Sequence, residues 1–159
     1  MHSSINKGNT MKRSNWLCGL TVAACLATGA AMAAGATVVD SVESDGAILW
    51  KTNAVPAEVF GRYLYEKQGE PVIELKPDGT GTFQAHGVAA MPIKFWLLSD
   101  EKGELVKVTG GANYRYTVVL QYGAGGGGNY PEGSYATWYW TMDAASHCAN
   151  ILGERFKCQ

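Results

Sequence analysis

The sequence predicts one all-β domain, an antiparallel up-and-down barrel of about eight strands. Apolar and polar residues alternate in several runs, most clearly at residues 114–122 and 134–142, and a period of two is typical of half-buried strands. The runs are short and are separated by turn residues, so consecutive strands can be joined as hairpins. We find no crossover helix between them, which favours a barrel of neighbouring hairpins over a Greek-key sandwich.

The elements follow from these runs and from the turn residues between them. Strands are predicted at residues 46–51, 59–66, 72–76, 80–86, 93–99, 104–109, 114–122 and 134–142. The sequence Pro77-Asp78-Gly79 predicts a turn, because proline presets one corner and glycine accepts a positive φ at the next. Residues 123–133 are rich in glycine and predict a long, mobile loop between two aromatic strands.

The C-terminal region predicts one short helix and one extended segment. Residues 144–152 contain good helix formers, Asp143 can cap the N-terminus, and Gly153 suits the position after the helix. Residues 154–158 would follow as the last extended segment.

Residues 1–34 are predicted to be upstream residues and a secretory signal peptide, and residues 35–159 to be the single barrel domain. A basic start at Lys12 and Arg13 precedes an uncharged apolar stretch that ends in Ala31-Met32-Ala33. This order of basic, apolar and small residues is the signal-peptide pattern. Translation from either Met1 or Met11 is consistent with it.

Two alternatives for this segment remain open. An uncleaved anchor is one, because residues 16–34 carry no charge and could just span a bilayer. The other is a lipoprotein, since Val22-Ala23-Ala24-Cys25 is similar to a bacterial lipobox. We expect an exported protein of the periplasm or extracellular space, or an outer-membrane lipoprotein if Cys25 is lipidated. Contact with a membrane is expected only in that last case.

Removal of the signal changes the charge and the cysteine count. The whole chain has 159 residues and a formal charge of −1. Without Lys7, Lys12 and Arg13 the charge becomes about −4, which gives no attraction to nucleic acid. Cys148 and Cys158 remain as an even pair, and in an exported chain such a pair predicts a disulfide.

Short motifs in the middle of the chain resemble a known family. Gly61-Arg62-Tyr63 opens a strand, Pro77-Asp78-Gly79-Thr80 forms a turn, and a strand containing Trp96 precedes a turn at Gly103. In this order they resemble the small bacterial lipocalin-like domains over residues 61–122. The resemblance implies a calycin-type barrel that is often a carrier or binding protein without catalysis.

We therefore expect an exported binding protein for a small hydrophobic ligand. An apolar cavity with a few polar groups is the usual pattern of a ligand site. The residues predicted to line the cavity are Phe95, Tyr116, Trp138 and Trp140. The polar contact at its rim is predicted to be Arg115 or His86.

The aromatic residues of the last third support other interpretations as well. Tyr139 lies on the strand face opposite Trp138 and Trp140, so both faces of this strand carry large rings. Such rings can line a cavity, contact a protein or only fill a core. The alternative function is therefore an envelope interaction module, such as a hydrolase inhibitor or an immunity protein. Its contact loop would include Tyr122 and Tyr130.

No motif predicts an enzyme, a cofactor or a metal. Gly123, Gly125 and Gly128 match a dinucleotide-binding pattern literally, but Pro131 follows where that site needs a helix. The histidines and cysteines lack metal-ligand spacing, and there is no nucleophile elbow. Placing His147 beside Cys148 does not make a catalytic pair, because adjacent side chains point apart.

Overall fold

The computed structural model describes residues 37–65, 72–153 and 155–158, all within one compact unit, Gly35–Gln159. The strands of this part of the chain are β1 Val39–Ser44, β2 Ala47–Thr52, β3 Gly61–Tyr65, β4 Val72–Leu75, β5 Thr80–Phe83, β6 Met91–Leu98, β7 Lys107–Gly110, β8 Asn113–Tyr122, β9 Tyr135–Asp143, β10 Cys148–Ile151 and β11 Arg155–Cys158. Two short 3-10 turns lie at Ala57–Val59 and Gly127–Asn129. The predicted signal peptide, the alternative anchor and Cys25 lie outside the described residues.

Eight of the strands close into an antiparallel barrel in the order β3, β4, β5, β6, β8, β9, β10, β11. The last strand pairs back with the first, with Phe156 of β11 opposite Leu64 of β3. Every neighbour in this ring is also the next ring strand along the chain. The predicted antiparallel barrel of eight strands is therefore confirmed, and it is closed.

The other three strands extend the barrel wall. The hairpin of β1 and β2 joins β6, where Lys51 is opposite Leu98 and Thr52 is opposite Leu97. On that same side β6 pairs with β5 only from Met91 to Lys94. The neighbour of β6 thus changes near its centre, and Phe95 and Trp96 lie at the change. Strand β7 pairs with β8 beyond the end of β6.

The barrel interior is filled by large apolar side chains, because each strand turns alternate residues inward. The buried inward residues include Ile73, Leu75, Phe83, Met91, Ile93, Phe95, Leu97, Tyr116, Val118, Leu120, Tyr122, Trp138, Trp140 and Ile151. The alternation at residues 114–122 and 134–142 correctly predicts which of these side chains point into the barrel. Trp138 and Trp140 are buried, whereas Tyr139 between them is exposed.

A chain of two hydrogen bonds crosses this interior. The Trp140 indole Nε1 donates to the Tyr63 hydroxyl at 2.7 Å, and that hydroxyl donates to the carbonyl oxygen of Val59 at 2.6 Å. All three residues are fully buried. Burial raises the pKa of Tyr63 far above its usual range, so the phenol stays neutral and keeps its proton for Val59.

The predicted helix at residues 144–152 is wrong. Strand β9 runs to Asp143, a tight turn follows, and β10 begins at Cys148. Asp143 does accept a backbone bond from Ala145 and a hydroxyl bond from Ser146, but these bonds stabilise a turn. Gly153, with φ +71°, belongs to the turn between β10 and β11. Pairing of β10 with β9 and β11 overrides the helix propensity of this segment, because tertiary contacts commonly outweigh intrinsic propensity.

The predicted disulfide between Cys148 and Cys158 is confirmed. The two residues lie opposite each other on β10 and β11. The bond therefore clamps the C-terminal hairpin that completes the ring through β3. The predicted extended segment at 154–158 corresponds to β11. Sequence analysis missed β1 and β10, which are short and lack an aromatic alternation.

Replacing Tyr63 with phenylalanine is expected to lower the free energy of unfolding by about 1–3 kcal/mol, because the Trp140 indole N–H loses its acceptor in a dry interior. Tyr139→Phe is the matched control, since Tyr139 is 56% exposed, and its effect should stay within about 0.5 kcal/mol. Urea unfolding followed by circular dichroism measures both. Equal effects of the two variants would contradict the role of the interior hydrogen bonds.

Removing the disulfide by Cys148→Ser with Cys158→Ser is expected to cost about 3 kcal/mol, because the bond closes a short loop. Chemical reduction of the unaltered protein should shift the urea midpoint in the same direction and by a similar amount. A midpoint that does not move in either experiment would show that β11 stays closed without the bond.

Candidate functional site

The four predicted cavity residues all face the barrel interior and are buried. Tyr116 and Trp140 stack with their ring centroids 5.6 Å apart. Phe95 contacts Phe60 edge-to-face at 6.4 Å. Trp138 packs edge-to-face on Phe83 at 4.8 Å. These rings contact one another or other side chains of the core, so they fill space that a ligand would need.

One end of the barrel is covered by the glycine-rich loop. Tyr130 from this loop lies 5.1 Å from Phe83 and 5.2 Å from Tyr122, measured between ring centroids. Tyr122 itself is buried at the end of β8, and burial raises its pKa. Of the two residues predicted to contact a partner, Tyr122 thus points inward and Tyr130 is half-buried as a cap.

The two predicted rim residues lie apart from this interior. Arg115 is on the outer face of β8, with its guanidinium 4.4 Å from the centre of the Tyr139 ring. His86 is exposed beyond the end of β5, and its ring centroid is 6.0 Å from that of Tyr65. The structure therefore does not bring Arg115 or His86 together with the four cavity residues.

A cleft opens in the barrel wall where β6 changes neighbour. We call it the lateral cleft. It has a volume of about 380 Å³ and is lined by Val38, Asn53, Val55, Phe60, Pro77, Asp78, Gly79, Thr80, Lys94, Phe95 and Trp96. The pairing of β6 with β5 stops at Lys94 and Thr80, and its pairing with β2 of the β1–β2 hairpin begins only at Leu97, so a gap remains beside Phe95. Of the predicted cavity residues, Phe95 alone borders this cleft.

The walls of the lateral cleft are held in place from outside. Trp96 lies under the ammonium of Lys51, 4.4 Å from the ring centre, and its ring is 6.3 Å from that of Tyr135. Lys51 is buried and pairs with Asp40 at 2.5 Å across the hairpin. The hydrogen bond from Lys51 lowers the pKa of Asp40, so that carboxyl group stays ionised. A fixed aromatic wall reduces the entropy lost on binding.

The opposite wall is tied to the C-terminal strand. The Lys157 ammonium donates to the backbone carbonyl oxygens of Glu58 and Phe60, at 2.7 Å for Phe60. Burial lowers the pKa of Lys157. Because the carbonyl of Val59 accepts the Tyr63 bond, three successive residues of this segment are anchored. Phe60 is therefore held against Phe95 at the bottom of the cleft.

Four polar side chains border the cleft, and three of them already have partners: Asn53, Asp78 and Thr80. One carboxylate oxygen of Asp78 accepts bonds from the Thr80 hydroxyl at 2.6 Å and the Thr80 N–H at 2.9 Å. The hydroxyl bond lowers the pKa of Asp78. The Asn53 side chain accepts from the Val38 N–H at 2.7 Å. Lys94 is exposed and has no ion pair among the described residues.

A second, shallower groove lies outside β5, β6 and β8 beside the glycine-rich loop. Its volume is about 660 Å³ and its polar side chains include Lys76, Thr82, Gln121 and Glu132. It shares Lys94 and Thr80 with the lateral cleft. Here the Gln121 amide already donates to the Gly133 carbonyl at 3.1 Å. This groove has one aromatic side chain in its lining, Tyr122, whereas the lateral cleft has three.

An exposed apolar strip crosses the outer face of β7 to β11. We call it the outer strip. It contains Val108, Tyr139, Leu152 and Phe156, each more than one-third exposed, with Arg115 between Val108 and Tyr139. The strand register places Val108 opposite Arg115 and Phe156 opposite Asn150. Tyr139 was singled out from sequence because it breaks the polar pattern of the outward face.

Within residues 37–65, 72–153 and 155–158, no three His, Cys, Asp or Glu side chains converge on a metal-binding position. The same residues contain no helix that is long and apolar enough to cross a membrane.

Sequence reasoning missed most of the lateral cleft, because its residues come from four separate stretches of the chain. The one available signal was Trp96. It alternates with Phe95 and Leu97, so it falls on the outward face beside Lys94. A large ring on that face indicates a covered or binding surface.

Comparison with known proteins gave no match: no family model, no curated protein and no solved structure is significantly similar to this chain.

Gly126→Ala is expected to loosen the cap formed by the glycine-rich loop. A Cβ at Gly126 would lie 2.5 Å from the Tyr130 Cβ and 2.8 Å from the Met91 sulfur, so the loop must shift. We expect a loss of about 1–3 kcal/mol in unfolding free energy.

Gly128→Ala is the matched control, because its Cβ would meet nothing within 4 Å. Thermal unfolding compares the stability of the two variants. The aromatic NMR signals of Tyr130 report whether its environment changes. Similar stability of both variants, with unchanged Tyr130 signals, would show that the loop does not pack as described.

Proposed function

We propose that this chain is an exported, lipocalin-like binding protein for a small hydrophobic ligand, and that the ligand lies in the lateral cleft. The observation that supports this best is the position of Phe95. It was expected to line a ligand cavity, and it borders an opening walled by Phe60, Trp96 and Val55. A volume of about 380 Å³ falls in the range of small-molecule sites.

The side of the barrel suits a ligand better than its interior. Tyr116, Trp138 and Trp140 are each less than one-tenth exposed and pack ring against ring. Opening a cavity among them would break these contacts and the Tyr63 hydrogen bond. The lateral cleft needs no such rearrangement, so binding a ligand there costs less free energy than binding it in the interior.

Export agrees with the disulfide. A bond between Cys148 and Cys158 persists in oxidising compartments such as the periplasm or the extracellular space. On this proposal the protein acts outside the cytoplasm, as a soluble protein or as a lipoprotein anchored at Cys25, and it binds without catalysis.

Binding of the neutral dye Nile red tests the proposal. We expect saturable binding of one dye molecule, with an emission shift caused by the apolar walls. Val55→Trp should weaken binding about tenfold or more, because the larger ring occupies the cleft. Val88→Trp is the matched control, since Val88 is also partly buried against the core but lies outside the cleft.

Both variants must first give the circular dichroism spectrum of the unaltered protein, and Val55→Phe is a milder substitute if Val55→Trp does not fold. The proposal is wrong if Nile red fails to bind, or if blocking Val55 leaves its affinity unchanged.

The outer strip favours a second candidate function, an envelope interaction module such as a hydrolase inhibitor or immunity protein. Tyr139 is 56% exposed and Val108 is 46% exposed, and Arg115 lies over the Tyr139 ring. Exposed Tyr and Arg side chains on a rigid sheet are common at protein interfaces.

The second candidate is tested by adding the purified protein to cell-wall hydrolases and measuring their activity. Tyr139→Ser together with Phe156→Ser should abolish any inhibition, whereas Val55→Trp should leave it intact. Inhibition that survives loss of the outer strip would place the contact elsewhere, and no inhibition of any hydrolase tested would count against this candidate.

A further inference from the structure

We infer that the ligand of the lateral cleft is an amphipathic monocarboxylate, a short apolar body with one carboxylate that pairs with Lys94. This inference rests on the proposed binding function and specifies its ligand class. At the rim, the side chains of Asn53, Asp78 and Thr80 have hydrogen-bond partners, whereas Lys94 has no ion pair among the described residues. The inner end of the opening is apolar.

The apolar part of the cleft is its inner end. Phe60 and Phe95 contact each other edge-to-face at 6.4 Å, and Phe95 is almost fully buried while Phe60 is partly exposed. Val55 and Trp96 form the sides. A chain or ring that enters against Phe60 would bury apolar surface on three sides, and this burial supplies most of the binding energy.

The polar end lies where the pairing between β5 and β6 stops. Lys94 is on β6 directly opposite Thr80, the first residue of β5. Its side chain is exposed and borders both the lateral cleft and the outer groove. Among the described residues no carboxylate lies within 4.0 Å of its ammonium. Lys94 is therefore a cation next to an apolar opening with its hydrogen-bonding capacity still available.

The other charged side chains nearby are less suited to pair with a ligand carboxylate. Lys76 already faces Glu74 at 3.9 Å. Lys51 is buried beneath Asp40 and over Trp96, where it supports the wall. Asp78 is negative, but Thr80 occupies one of its oxygens with two bonds, and Lys76 is close enough to help lower the pKa of Asp78. Lys94 is thus the one cation that lines the cleft, and among the described residues no carboxylate pairs with it.

A charge-assisted bond between a carboxylate and Lys94 would also orient the ligand. The apolar body would point toward Phe60 and the carboxylate would stay at the exposed rim, where desolvation costs little. A neutral ligand of equal length would keep the apolar contacts and lose this bond. A cationic ligand would place its charge beside Lys94 and be repelled.

Three ligands of the same chain length test the inference: octanoate, 1-octanol and octylammonium. Each is titrated into isotope-labelled protein at neutral pH, and backbone amide shifts near Val55, Gly79 and Trp96 are followed. We expect octanoate to bind about three- to tenfold more tightly than 1-octanol, and octylammonium to bind most weakly.

Lys94→Met should remove the preference for octanoate, because methionine keeps the length and loses the charge, and Lys94→Arg should restore it. Lys76→Met is the matched control and should retain the preference, since Lys76 is already paired and does not border the cleft.

The outcomes separate the inference from the proposed function. If 1-octanol binds the cleft as tightly as octanoate, or if Lys94→Met leaves the preference unchanged, the ligand class is wrong and the binding function stands. The same holds if octylammonium binds most tightly. If none of the three ligands changes the amide shifts around the cleft, both the ligand class and the proposed function are wrong.

Discussion

The buried hydrogen bonds from Trp140 to Tyr63 and from Tyr63 to Val59 are the constraint on which the structure depends. They join β9 to β3 across the interior and fasten the segment that leads into the barrel. Lys157 holds the same segment from β11 through the carbonyls of Glu58 and Phe60. An unpaired polar group in this interior would be costly, so the bonds select one arrangement of core and wall. The position of Phe60 follows from that arrangement.

A filled interior has a direct consequence for binding. Many barrels of eight strands have an interior that is either filled by side chains or just wide enough for one small ligand. Here aromatic rings occupy the space, and Tyr130 covers one end of it. The available opening lies at the side of the barrel, where the pairing of β5 with β6 ends and that of the β1–β2 hairpin with β6 begins. The proposed ligand site thus arises from a change of strand neighbour, and its walls belong to the same packed core.

Much of the fold could be predicted from the sequence because alternation acts locally. Tyr116, Trp138 and Trp140 were correctly placed on inward faces, and Tyr139 on the outward face. The C-terminal hairpin could not be predicted in this way. Asp143 and Gly153 stabilise turns and helix ends equally well, and only pairing with β9 and β3 decides between them. The cysteine pair was the better guide there, since it required Cys148 and Cys158 to be neighbours.

The site was less accessible to sequence reasoning than the fold. Alternation tells which side chains face inward, but it does not tell whether they leave a cavity, because that depends on how Trp140 and Tyr63 meet. The lateral cleft combines residues near positions 38, 55, 78 and 95, and their proximity depends on strand register. Of the residues predicted from sequence, Phe95 borders the cleft, while Arg115 and His86 lie elsewhere.

The central claim is that a ligand binds beside the barrel and leaves its interior packed. Intermolecular nuclear Overhauser effects from bound 1-octanol test it most directly, because they report which protein protons lie close to the ligand. We expect contacts from the octanol chain to the rings of Phe60, Phe95 and Trp96 and none to Trp138 or Trp140. Contacts to the indoles of Trp138 and Trp140, with the Tyr63 hydrogen bond broken, would contradict it.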